Sequence, residues 1–135
     1  MKVILVCNIW ISFLLSRQNC LLQRMLMDTR FDIYVCKELL FEITNVARRE
    51  KIRKRVSEDE LQQLLKIIDA FCKKTIISQI AESIIRDPKD LYLLSLAETI
   101  DANFIVSGDK DLTDLSQHLK TRIIKLADFN LMMGF

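Results

Sequence analysis

At 135 residues the chain is long enough to bury a core as one domain, residues 1–135. Half of its residues are hydrophobic and it holds two glycines and one proline, which excludes a disordered or low-complexity chain. A net charge of +2 is too small to mark a nucleic-acid binder by itself, and four scattered cysteines with one histidine, His118, form neither a zinc-site pattern nor a disulfide framework. The thiols read as buried or half-buried groups of a reducing cytoplasm.

The chain opens VILVCNIWISFLL (Val3 to Leu15), which has two readings. A secretory signal needs a basic start, an apolar core and a small-residue cleavage site. The SRQNC after it (Ser16 to Cys20) supplies no such site, and the run is short of the ~20 apolar residues that span a bilayer. The other reading divides it into a β-branched strand, Val3 to Val6, and a helix capped by Asn8 with Ile9, Ile11, Leu14 and Leu15 on its apolar face.

Further along, Cys20 to Met27 reads as a helix and Asp32 to Val35 as a strand. Glu38 to Arg49 is amphipathic, and Ser57 with Glu60 forms a capping box that opens a helix through Leu61, Leu64, Leu65, Ile68 and Phe71. Thr75 to Ile77 is expected as a third strand. Asp87 and Pro88 fit the N-cap and first position of the next helix, and Phe104 to Val106 is a strand closed by Ser107-Gly108. A short helix from Lys110, a strand from Arg122 to Ile124 and a helix from Asp128 complete the order. His118 falls in a polar stretch and is expected to be exposed. Strands separated by helices imply crossovers, hence an α/β domain with a parallel sheet covered on both faces.

Several acids do not sit where solvated charges belong. Glu42 borders the apolar stripe of its helix, Asp90 is in line with Leu94 and Ala97, and Asp109 and Asp111 follow a buried strand. Ligand sites of open α/β sheets lie beyond the carboxyl ends of strands, where sequence order puts Asp109. Carboxylates converging there repel unless a cation neutralises them, and hard oxygen donors suit Mg²⁺ or Mn²⁺, the ions of phosphodiester hydrolysis. Each acid also has a structural explanation. Asp87 caps a helix, Asp90 complements its dipole, Asp109 or Asp111 caps the next helix, and Glu42 pairs with a surface cation.

Three segments, VILVCNIWISFLL, ELLFEI (Glu38 to Ile43) and DPKDLYLLSLAETIDANFIVSGDKDL (Asp87 to Leu112), together resemble a PIN domain of the VapC-like toxin group, along Lys2 to about Phe129. The resemblance implies a three-layer α/β/α fold with a central parallel sheet of about five strands. It implies an acidic site for Mg²⁺ or Mn²⁺ that cleaves single-stranded RNA in the cytoplasm, a cognate antitoxin that silences it, and a homodimer with no membrane association. By motif position the catalytic and metal-binding acids are Glu42, Asp90 and Asp109, with Asp111 as a further ligand and Asn8, Asp87 and Ser107 in support.

One position departs from the pattern. The opening motif of the family is strand-D-T-N, whereas this chain reads Leu5-Val6-Cys7-Asn8, so Val6 stands where the first metal-binding aspartate belongs. Three readings stay open: a weakened endoribonuclease using the remaining acids, an inactive PIN-fold protein that binds RNA or an antitoxin, or an introduced inactivating change. A lone Cys7 without histidine neighbours is a poor ligand for a softer metal.

RREKIRKR, from Arg48 to Arg55, holds six basic residues in eight. Arg48, Arg49, Lys51, Arg53, Lys54 and Arg55 suit an RNA phosphate track, and equally a solvated helix end. Trp10 and Phe13 suit base stacking or, at that spacing, a core. Met132, Met133 and Phe135 form an apolar tail that packs on the domain or on a partner.

Overall fold

The computed structural model describes residues 1–17, 19–81 and 90–135. Strand β1 (Lys2–Leu5) leads into α1 (Cys7–Ser16) and α2 (Asn19–Met27), and β2 (Asp32–Val35) into α3 (Lys37–Ala47), α4 (Glu50–Arg53) and α5 (Glu58–Phe71). The edge strand β3 (Lys73–Lys74) is followed by α6 (Leu91–Ile100), β4 (Phe104–Val106) and α7 (Lys110–Leu115). A hairpin of β5 (Gln117–His118) and β6 (Thr121–Ile124) precedes α8 (Leu126–Met133).

The sheet order is β3-β2-β1-β4-β6-β5, parallel throughout except for β5 against β6. Val3, Ile4 and Leu5 of β1 are wholly buried, as a strand covered on both faces requires. Their register against Phe104, Ile105 and Val106 is continued by the Val6 N–H, which donates to the Val106 carbonyl at 3.1 Å. From β1 the chain builds outward through β2 and β3, then returns to place β4 on the other side of β1. This reversal is a topological switch point, and it opens a crevice at the carboxyl ends of β1 and β4.

Helix packing follows the apolar stripes. α1, α3 and α5 pack on one another, and α6 lies against β1. Trp10 and Phe13 are core residues, not stacking platforms. Trp10 has no exposed surface, and its indole N–H donates to the Leu5 carbonyl at 3.0 Å, which ties α1 to the strand before it. Phe129 of α8 fills the space between Phe31 and Phe104 in edge-to-face contacts of 5.3 and 6.1 Å. The C-terminal tail packs onto the body: Met133 is buried and the Phe135 ring meets Phe31 at 6.2 Å.

Four sequence expectations require correction. The strand expected at Thr75 to Ile77 is instead β3 at Lys73–Lys74. Only the Thr75 N–H extends the pairing, to the Val35 carbonyl, and Ile76 is 85% exposed because β2 has already ended. His118, expected at the surface, is buried and bonded to Glu98 Oε2 at 2.9 Å. It belongs to a hairpin whose turn carries no Gly, Asn or Asp signal, Leu119 itself taking the positive φ of 52°. Asn8 does not cap α1, because Val6 occupies the cap position and the helix begins at Cys7. Cys20 is exposed, whereas Cys7, Cys36 and Cys72 are buried. The N-cap expected at Asp87 lies outside the described residues. Among the described residues no helix is long and apolar enough to cross a membrane.

The capping box is formed as read: Ser57 Oγ accepts from the Glu60 N–H at 3.1 Å and Glu60 Oε1 from the Ser57 N–H at 3.3 Å. Ser57→Ala is expected to lower the unfolding free energy by about 1 kcal/mol. The loss should be read as a lower urea midpoint at unchanged slope. An unchanged midpoint would show that solvent satisfies this helix start equally well.

Candidate functional site

The crevice at the switch point is a cleft of ≈ 330 Å³. Val6, Cys7 and Asn8 enter it from the end of β1, Glu42, Val46 and Arg49 from α3 and its C-terminal exit, Asp90 and Leu93 from the start of α6, Asp109 from the turn after β4 and Leu112 from α7. Glu42, Val46 and Arg49 share one face because they are spaced four and three residues apart on a helical path. The structure therefore unites Glu42, Asp90 and Asp109 with Val6, Asn8 and Arg49 in one place.

The carboxylates are held in different ways. Asp109 Oδ1 accepts from the Asp111 N–H at 2.9 Å and so caps α7, while the Asp109 N–H donates to the wholly buried Ser107 Oγ at 2.9 Å. Asn8 Oδ1 accepts from the Gly108 N–H at 3.3 Å, which links the β1 exit to the β4 exit. Glu42 Oε1 accepts a short hydrogen bond from the Tyr92 hydroxyl, and the Glu42 carboxylate interacts with the Cys7 thiol. Asp90 occupies the cap position of α6 with no side-chain capping bond. Asp111 does not line the cleft; it contributes its backbone N–H to Asp109. Asp87 lies outside the described residues.

Burial, then the Glu42 bond and charge, push the Tyr92 phenol well above its ordinary range, so Tyr92 remains a hydrogen-bond donor. The Cys7 thiol is pushed up to about 12 by burial, by the charge of Glu42 and by its bond to Glu42; the Arg49 charge opposes this and that of Asp90 adds to it. Cys7 is thus a proton-bearing donor to Glu42 rather than a thiolate.

Oxygen donors of this kind suit a hard divalent ion in principle. Among the described residues, however, no three His, Cys, Asp or Glu side chains come together closely enough to hold one. The groups around the cleft are held as follows. Val6 presents an isopropyl group at the carboxyl end of β1 and is 3% exposed, Glu42 is engaged by Tyr92 and Cys7, and Asp109 is engaged in capping. Of the four-acid ligand set read from motif position, Glu42, Asp90 and Asp109 share the cleft and Asp111 does not line it.

The basic run divides. Arg48 and Arg53 both pair with Glu58, which makes them structural at the corner between α3 and α5. Lys51, Lys54 and Arg55 are exposed outside the cleft, and Arg49 alone of the run lines it. Tyr92, the hydrogen-bond partner of Glu42, is a residue that the sequence did not single out. Its partner lies 50 residues away in the chain, and no local spacing signals that contact.

A PIN domain family model matches residues 2–111 of the chain. No curated protein matches the sequence. Among solved structures, VapBC2 from Rickettsia felis, bound to a DNA fragment from their promoter, has a chain that is similar with a TM-score of 0.61 at 15% identity, over 91% of this chain and 97% of that one. The PIN domain of T. brucei RRP44 is similar with a TM-score of 0.47 at 18% identity, over 98% of this chain and 81% of that one. At such identities the likeness is one of fold.

Thiol chemistry tests the packing of the cleft. Burial pushes Cys72 up to about 12 and Cys36 up to about 11, alongside Cys7 at about 12. At pH 8 a disulfide reagent is expected to modify Cys20 at once and the other three thiols only as the chain unfolds. The folded chain keeps these protons where the unfolded chain, with thiols near the ordinary 9.0, releases them. The contribution of these thiols to stability is therefore full below pH 9.0 and lost as pH rises toward about 12. Rapid labelling of Cys7 in the folded protein would contradict the closed contact with Glu42.

Proposed function

The chain belongs to the PIN domain family, and we propose that it is a toxin-type member whose cleft engages single-stranded RNA in the cytoplasm while its hydrolytic step is crippled at Val6. The observation that carries this reading is the composition of the cleft: Glu42, Asp90 and Asp109 share it with Arg49, and a valine stands among them at the end of β1. A carboxylate at residue 6 is what the donor set lacks for Mg²⁺ or Mn²⁺.

The residues present account for binding without efficient cutting. Arg49 offers a guanidinium to an RNA phosphate at the edge of the cleft. Val46, Leu93 and Leu112 supply apolar wall beside it. Glu42 is oriented in the cleft by the Tyr92 hydroxyl at Oε1 and stands beside the Cys7 thiol. An antitoxin as silencing partner and a homodimeric state belong to the same reading, and the fold shared with a VapBC2 chain agrees with it.

The test compares cleavage of a mixed-sequence single-stranded RNA, in Mg²⁺ or Mn²⁺, by the chain as it is, by Val6→Asp, and by Val6→Asp combined with Asp109→Ala. Val6→Asp is expected to raise the rate on the order of 10³-fold, and Asp109→Ala to remove the gain, since members of a cooperating catalytic set fail together. Binding of uncut RNA by the unchanged chain in EDTA is expected throughout. Asp109-dependent cleavage by the unchanged chain at the rate of Val6→Asp would overturn the crippled-site reading, and absence of RNA binding would overturn the reading as a whole.

A further inference from the structure

Helix α3 presents three faces. Leu39, Ile43 and Ala47 enter the core, and Glu42 and Val46 face the cleft. The third face, with Lys37, Phe41 and Arg48, forms one wall of a groove of ≈ 780 Å³, against ≈ 330 Å³ for the cleft. The opposite wall comes from α5, with Lys66 and Asp69, and Lys74 of β3 closes one end.

Two features of this groove are unusual for a plain surface. Phe41 is 70% exposed within it, a large aromatic ring with one face open to water. The charges around the ring are of one sign apart from Asp69, which pairs with Lys74. Arg48 pairs with Glu58, which leaves Lys37 and Lys66 without an ion pair among the described residues. An open aromatic face flanked by unneutralised ammonium groups matches a nucleobase joined to its phosphates, because every base has a stacking face and every linkage a negative charge.

The groove and the cleft lie on different sides of α3 and meet at the same helix end. Arg49 lines the cleft and Arg48, the preceding residue, lines the groove, so both sites reach the same C-terminal end of α3. The exposed cations Lys51 and Lys54 come next at that corner.

We infer that the groove between α3 and α5 is a second contact for single-stranded RNA, in which a base stacks on Phe41 and its phosphates lie on Lys37 and Lys66. The inference rests on the reading of the cleft as an RNA site and adds a station beyond it. It makes affinity depend on strand length: a short oligonucleotide fills the cleft, and a longer one reaches the groove.

The experiment is fluorescence anisotropy in EDTA with fluorescein-labelled single-stranded RNA of about four and about twelve nucleotides, within the range of single-strand site sizes. Phe41→Ala and Lys37→Ala with Lys66→Ala are each expected to weaken the longer RNA about tenfold and to leave the shorter one unchanged. Phe41→Trp is expected to keep the affinity, with emission from the introduced indole quenched on binding. The exposure of Phe41 makes these variants compatible with folding, which circular dichroism checks. Unchanged binding of the longer RNA to Phe41→Ala, with both lengths weakened by Arg49→Glu, would overturn the groove and leave the cleft reading standing. Failure of either length to bind the unchanged chain would overturn both. If the introduced indole responds to an acidic amphipathic peptide and not to RNA, the groove belongs to a protein partner and the inference is overturned.

Discussion

The pairing of β1 with β4 is the constraint on which the rest of the site depends. Two parallel strands side by side, with the chain leaving in opposite directions along the sheet, leave their carboxyl ends uncovered. The pairing runs through Leu5 and Val106 and ends with the Val6 N–H on the Val106 carbonyl, so residue 6 is the last point held by the sheet. Trp10 then anchors the first turns of α1 by donating to the Leu5 carbonyl. Asn8 bridges to Gly108 on the β4 side. The positions of Val6, Cys7 and Asp109 are therefore set by backbone pairing and two side-chain bonds, not by the chemistry of the cleft.

Given that frame, electrostatics decides what the cleft can hold. Three carboxylates in a small space raise one another's cost of ionisation unless something offsets their charge. In this chain the offsets are supplied by the protein. A backbone N–H holds Asp109, a phenol and a thiol hold Glu42, and a guanidinium stands at the edge. An isopropyl group at residue 6 adds no further charge to be neutralised. The arrangement explains how the acids persist in a site that gathers no metal-binding trio among the described residues.

Much of this is legible in the sequence, for identifiable reasons. The β1 and β4 strands are readable because a strand buried on both faces is apolar at every position, and the capping box because its two bonds span only four residues. Glu42 and Asp90 stand out because acids on an apolar helical stripe demand an explanation. The parts that are not legible depend on contacts distant in sequence or on exceptions to local rules. Tyr92 reaches Glu42 across 50 residues, and β5 is joined to β6 through a leucine in a conformation that usually calls for glycine or asparagine. Thr75 to Ile77 has the composition of a strand, yet a strand requires a partner, and β2 stops at Val35. Asn8 is of a residue type that favours caps, whereas its actual partner, Gly108, lies 100 residues on.

The basic run shows the same division between composition and position within a few residues. Arg48 and Arg49 are identical in type and consecutive in sequence, yet a helix turns its residues about its axis, so they leave α3 on different sides. Arg48 reaches Glu58 on the neighbouring helix and joins Arg53 there, a corner brace between α3 and α5. Arg49 reaches the cleft and makes no ion pair among the described residues. Charge that is already matched adds little to the capture of an anion, because a phosphate must displace the carboxylate before it gains the guanidinium. Counting cations in the sequence therefore overstates the surface available to a phosphate backbone. The location of Glu58, the first residue of the helix that the capping box starts, selects which arginines remain open to it.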